Sequence, residues 1–219
     1  MTNSIALMDW WMLTDFIDET IYQYRTSLKT RDTEQHLPRS WGLLLGTFDP
    51  DGEAMRVKEV AFGTNVRETD ETVLAEFEEV IVPCFGKPYA NGGRGFWCSN
   101  LDVLQITRDA AARGLEVLGS IHSHPDWHQI GPEHERGQRL SQTPTAMDEY
   151  LFRNTGWPLN MICYLESRDN EIFHTLAAWG APSFVDEEKG ADPITIRYTL
   201  ARRALKEVAL KEVVSHGNG

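Results

Sequence analysis

Three residues of this chain have the side chains and spacing to hold a metal ion. His122 and His124 stand two apart in Gly119-Ser120-Ile121-His122-Ser123-His124-Pro125. On an extended segment, residues at i and i+2 project from the same face, so both imidazoles would point one way. Leu115, Val117, Leu118 and Ile121 lead into them and predict a strand anchored in a core. Downstream, Asp148 opens a helical pattern in Pro144-Thr145-Ala146-Met147-Asp148 and offers a carboxylate as third ligand. Two imidazole nitrogens and one carboxylate oxygen, with a fourth position left for water, is the ligand set of a catalytic rather than a structural zinc.

The remaining candidates for chemistry are weaker. Ser123 lies between the two histidines but has no G-x-S-x-G surroundings, which argues against a serine nucleophile. Cys84, Cys98 and Cys163 form no C-x-x-C pair, so they read as reduced, partly buried thiols rather than a disulfide framework or a deaminase-type zinc site. His128 and His134 fall in a polar stretch and read as solvated, and His36 and His174 have no partner that the sequence reveals.

The elements that must position the three ligands follow from periodicity. Residues from Ile5 to Leu28 carry apolar positions at a spacing of three to four and predict an amphipathic helix, with a polar linker from Lys29 to Pro38. Trp41 to Phe48 and Met55 to Phe62 predict a hairpin about Asp49-Pro50-Asp51-Gly52. Glu68 to Glu79 reads as a loop or short exposed helix, Val80 to Pro83 as a strand and Tyr89 to Gly95 as a flexible loop. A helix is expected from Leu101 to Arg113, ending at Gly114, and the histidine strand from Leu115 to Ile121. Asp126 to Thr143 has no clean period and reads as an inserted loop; a helix capped at Thr145 follows and stops at Gly156-Trp157-Pro158. Two strands, Asn160 to Leu165 and Glu171 to Trp179, flank an Arg168-Asp169-Asn170 turn, and a last helix is predicted from Pro193 to Val214.

This order predicts one α/β domain of 219 residues, a mixed twisted β-sheet flanked by α-helices. Its parts would be an N-terminal helix and linker over 1–37, a core over 38–180 and a C-terminal helix over 190–219. A formal net charge of −12 argues against a nucleic-acid backbone or an anionic membrane as the main partner. The apolar runs are far short of a membrane span, and Asp9, Asp15, Asp18 and Glu19 interrupt any signal-peptide pattern, so the expected compartment is the cytoplasm.

With these residues in view, the chain resembles the JAMM (MPN+/JAB) zinc metallopeptidases, which hydrolyse the isopeptide or peptide bond after ubiquitin or a ubiquitin-like protein. Gly42-Leu43-Leu44-Leu45-Gly46 is similar to the family's early G-L-L-x-G strand, Arg113 to Gly119 to its approach to H-S-H-P, and Pro144-Thr145-Ala146-Met147-Asp148 to its P-S-x-x-D. The resemblance spans most of Pro38 to Trp179. It implies a cytidine-deaminase-like JAB/MPN architecture and zinc bound by His122, His124 and Asp148. It further implies that Thr145, where the family has a serine, donates to the oxyanion. The implied partner is a ubiquitin-like protein whose extended tail adds to an exposed strand edge.

Two departures from the family pattern stand out. Asp148 lies 24 positions after His124, so twenty-three residues intervene, well beyond the family interval. Loop closure costs only ~0.6 kcal/mol per doubling of length, so a longer loop leaves the ligand set possible and would border the site. The general base is the second. The family places a glutamate three residues before the first glycine of G-L-L-x-G, and here that position holds Arg39, a permanently protonated guanidinium. Glu59, expected across the hairpin from Gly42, is the first candidate to replace it. Glu34, Glu133 and Glu135 are the others. The competing expectation is a catalytically weak or inactive scaffold of the same family that binds a ubiquitin-like partner without cleaving it.

Overall fold

The structure, a computed structural model, describes residues 5–29, 40–52, 54–90, 95–125, 144–183 and 190–199. Seven strands run in chain order as β1 (Ile5–Asp9), β2 (Trp41–Phe48), β3 (Ala54–Phe62), β4 (Glu116–Pro125), β5 (Leu159–Arg168), β6 (Glu171–Trp179) and β7 (Thr195–Thr199). They form one mixed sheet in the order β6-β5-β4-β2-β3-β1-β7. The β2–β3, β2–β4 and β5–β6 pairs are antiparallel; β4–β5, β1–β3 and β1–β7 are parallel.

The sheet curls until its two ends meet. Trp179 of β6 bridges Pro193 just before β7, with Ile194 N–H donating to the Ala178 carbonyl at 2.8 Å and Gly180 N–H to that of Asp192 at 2.9 Å. The sheet is therefore close to a barrel. One apolar cluster joins Ala6 of β1, Leu44 of β2, Met55 of β3, Ile121 of β4, Met161 of β5 and Ala178 of β6. Strands from both ends of the order share this cluster, so it fills the concave side. Phe16 and Ile17 of helix α1 (Thr14–Lys29) pack into it. The convex side carries helices α4 (Asn100–Ala112), over Leu43 and Leu45, and α5 (Ala146–Thr155), over Ile162 and Tyr164. Between β3 and α4, α2 (Glu71–Glu76) and α3 (Val82–Phe85) frame a satellite core around Phe77 and Ile81.

The mixed α/β class and the central hairpin agree with the sequence pattern, whereas three elements differ from it. The expected helix from Ile5 to Leu28 begins as strand β1 and a short turn of 3₁₀ helix over Trp10–Leu13, and α1 starts at Thr14. Ala6 and Met8 are buried while their neighbours are half-buried, a period of two that five residues are too few to distinguish from a helical one. The expected strand from Val80 to Pro83 is helical: Asp70 caps α2 by accepting from Thr72 and Val73 N–H, and a wide π turn over Phe77–Ile81 carries it into α3. Phe77 and Ile81, four apart, are both buried, so tertiary packing overrides the β-branched run. The helix expected from Pro193 begins instead as β7, which pairs with β1. Residues 200–219 lie outside the described residues, as do the linker residues 30–39, the loop 126–143 and positions 91–94 of the glycine-rich loop.

Strand β4 is central and nearly all of it is buried, its register held on both sides. On the β5 side Gly119 is indispensable, because a Cβ there would lie 1.5 Å from the Leu159 carbonyl oxygen, which is fixed backbone. Gly119→Ala is expected to lower unfolding stability by at least about 3 kcal/mol. A urea denaturation curve checks this, and a loss under about 1 kcal/mol would mean that β4 and β5 are not paired in this register.

Candidate metal centre

The end of β4 places His122 and His124 on the convex face, since Trp41, directly opposite His122 in β2, belongs to the cluster beneath α4. Ser123, between them, is buried against the other side. Its N–H donates to the Ser40 carbonyl at 3.1 Å, and its hydroxyl oxygen accepts from Ser40 N–H at 3.1 Å. Ser123 thus ties the start of β2 to β4 and fixes the twist at which the flanking histidines emerge.

The carboxylate arrives from α5. Thr145 is the N-cap in extended conformation, and its hydroxyl oxygen accepts from Asp148 N–H at 3.1 Å. In return Asp148 Oδ2 accepts from Thr145 N–H at 2.9 Å and from the Thr145 hydroxyl at 2.8 Å. The two residues complete a capping box. The helix ends at Gly156, whose φ of 63° is left-handed. That conformation favours glycine. Asp148 and Phe152 are four apart and share the inward face of α5. The Phe152 ring packs 6.4 Å from that of His122.

The three ligand atoms converge. His122 Nε2 is 2.9 Å from His124 Nε2 and 3.2 Å from Asp148 Oδ1, and His124 Nε2 is 3.4 Å from the same oxygen. A tetrahedral ion with bonds of about 2.0–2.1 Å separates its ligands by about 3.3 Å. The two spacings to Asp148 lie within about 0.1 Å of that, the imidazole pair is closer, and an Nε2 carries at most one hydrogen and cannot bond to both neighbours as donor. All three side chains are buried, and no other trio of histidine, cysteine and acidic side chains among the described residues comes together in this way. The group can therefore hold a metal ion. Burial by itself pushes the Asp148 carboxyl upward, but His124 and His122 beside it prevail and hold it well below the ordinary carboxylate range. The helix N-terminus favours the same charge.

Other predicted site residues stand differently. Thr145 is beside the triad, and its hydroxyl donates to Asp148 Oδ2, so in this structure it braces that carboxylate. Glu59 is not brought to the site. The hairpin pairs Gly42 with Phe62 and Glu59 with Leu45, because the turn is longer than the four-residue one expected and a bulge shifts the register. Leu45 in turn faces Val117, five residues before His122 along β4, so Glu59 sits two strands over and well down the sheet from the triad. There it accepts two bonds from the Arg113 guanidinium, at 2.5 and 3.2 Å. Glu34, Arg39, Glu133 and Glu135 lie outside the described residues. No cysteine among the described residues joins the triad, and burial pushes the Cys98 and Cys163 thiols up to about 12.

Two residues of the centre had no motif to mark them. Phe96 packs on His122 with ring centres 4.8 Å apart, and Tyr164, paired with His124 across β4 and β5, sets its ring edge-on at 5.4 Å. Both help to fix the imidazole planes. An aromatic in the residues leading to α4 and another in the strand after α5 were the available signals.

No family model and no curated protein sequence matches the chain. Among solved structures it is similar to a protein of Desulfitobacterium hafniense, 15% identical over 90% of this chain and 94% of that one, with a TM-score of 0.47. It is also similar to one of Salinibacter ruber, 22% identical over 84% and 88% of the two chains, with a TM-score of 0.37.

If Thr145 acts through Asp148, Thr145→Ala should cost about 1 kcal/mol of stability and weaken metal binding at least about tenfold, while Thr145→Ser retains both. Denaturation and competition with a chromogenic chelator measure the two. Equal metal affinity in the alanine variant would remove Thr145 from the ligand-positioning role.

Proposed function

We propose that this chain is a zinc-dependent hydrolase of the JAMM type, acting on the peptide or isopeptide bond that follows the C-terminus of a ubiquitin or ubiquitin-like protein. The observation that carries the reading is the convergence of His122 Nε2, His124 Nε2 and Asp148 Oδ1, residues drawn from two separate motifs in the family's order. Two nitrogens and one oxygen leave a coordination position open, the donor set of hydrolytic zinc. The cytidine-deaminase-like JAB/MPN architecture belongs to the same proposal, resting on the motif order and on a mixed sheet with helices on its face.

When bound, zinc supplies Lewis acidity and activates water near neutral pH. The chain's own part is to hold that ion and exclude bulk water. Asp148 keeps one oxygen on the Thr145 cap and presents the other, and the rings of Phe96, Phe152 and Tyr164 surround the imidazoles. The proton of the attacking water needs a carboxylate acceptor that later protonates the leaving amine. With Glu59 committed to Arg113, that role passes to Glu34, Glu133 or Glu135. The substrate tail would lie extended against a strand edge.

A second reading, a scaffold that binds a ubiquitin-like partner without cleaving it, is favoured by Arg39 at the position where the family has its glutamate. The two differ in outcome. The active enzyme carries one zinc per chain, cleaves a ubiquitin-like fusion, and loses both properties in His124→Ala. One of Glu34→Gln, Glu133→Gln and Glu135→Gln then lowers kcat by about 10² to 10⁴ with zinc retained. A zinc-loaded wild type that cleaves no fusion supports the scaffold, and three fully active glutamine variants would exclude these residues as the base.

A further inference from the structure

On the face of β4 that carries His122, two residues back toward the strand's start, lies a cavity of about 250 Å³ between α4 and α5. Trp41, Phe96, Trp97, Phe152 and Trp157 wall it, and Ser120 and Asn160 form the buried part of its polar lining. Phe96 and Phe152 are the same rings that flank His122, so the cavity and the metal centre share a wall. Asn100 and Asn154, exposed residues at the N-terminus of α4 and near the C-terminus of α5, mark where it opens to solvent.

Asn160 is the informative residue. It is fully buried and faces Ser120 across the β4–β5 ladder. Its Nδ2 donates to the Trp157 carbonyl at 3.0 Å, and its Oδ1 accepts from the Ser120 hydroxyl at a long 3.5 Å. A primary amide has two N–H donors and two acceptor lone pairs, so among the described residues one of each is left over, in a chamber walled mainly by aromatic rings. Each polar atom of the amide thus has one partner, and the residue leaves beside the cavity a hydrogen-bonding capacity that an apolar side chain would not. A guest with a polar tip would use the spare donor or acceptor.

The size of the cavity narrows the guest. It is smaller than the ~300 Å³ at which pockets for drug-sized ligands begin, and suits one ring. The aromatic walls suit a flat guest, which they can meet edge-on or in offset stacks. Its place relative to the centre suggests what the ring is attached to, since two residues of extended chain span about 6–7 Å, the step from Ser120 to His122. The mouth, at Asn154, is six residues or ~9 Å of helix from Asp148, so a polypeptide crossing the metal centre along α5 would bring a side chain to it.

We propose that the cavity between α4 and α5 receives one aromatic side chain with a polar tip, tyrosine above all, from the polypeptide on which the metal centre acts. That the polypeptide is a substrate rests on the hydrolase reading; that the cavity binds such a ring does not.

The experiment is an NMR titration of the zinc-loaded full chain, following the indole N–H signals of Trp41, Trp97 and Trp157. The probes are p-cresol, toluene, and acetylated Gly-Tyr-Gly and Gly-Ala-Gly amides. p-Cresol should bind about fivefold more tightly than toluene, the worth of one hydrogen bond. The tyrosine peptide should shift the same indoles and the alanine peptide should not. Asn160→Leu should erase the preference for p-cresol. Should that variant not fold, Val103→Trp fills the cavity from α4 and should abolish binding of both rings. Absence of shifts with p-cresol overturns the proposal, as does unchanged binding in Val103→Trp. p-Cresol binding without tyrosine-peptide binding also overturns it, marking a site for a free small molecule. No arm depends on cleavage, so an inactive protein would sink the hydrolase reading and leave this result standing.

Discussion

A buried carboxylate is affordable only with partners, and the partners of Asp148 organise this molecule. One of its oxygens accepts two bonds from the Thr145 cap; the other faces two imidazoles. The first set needs a helix that starts at Ala146, and the second needs that start to sit over the end of β4. Removing either would leave charge stranded where water does not reach. The position of α5 is thereby coupled to the register of β4, and that register depends on Gly119 closing against Leu159 and on Ser123 joined to Ser40.

The curled sheet separates support from chemistry. Its concave side is filled by α1 and by apolar side chains from all seven strands, and makes a rigid base. Its convex side carries α4 and α5, with the triad at one end of the space beside α5 and the aromatic cavity at the other. His122 and Ser120 project to the same side of one buried strand, so both features are positioned by the same backbone. Precision at the triad comes from elements that have little freedom to move.

The site was more legible in the sequence than the fold. Paired histidines at i and i+2 and an aspartate three residues after a capping threonine are local patterns, and local geometry carried them through unchanged. The Trp41–Phe48 and Ala54–Phe62 hairpin was legible for a similar reason. β1 and β7 were not, because each is five residues long and finds its parallel partners only far away in sequence. Val80 to Pro83 misled through β-propensity, where the Asp70 cap and the burial of Phe77 and Ile81 decide for a helix. Glu59 is not brought to the triad because one bulge and a long turn move every cross-strand partner, and charge alone cannot reveal a register.

Whether His122, His124 and Asp148 share one metal ion is tested most directly by X-ray absorption at the zinc edge on the purified, zinc-loaded chain, with His122→Ala and Asp148→Ala as controls. The expected spectrum shows one zinc in a first shell of nitrogen and oxygen only, at about 2.0–2.2 Å, with imidazole scattering that falls in the histidine variant. A sulfur shell at about 2.3 Å, or a spectrum unchanged by both substitutions, would contradict a zinc held by this triad.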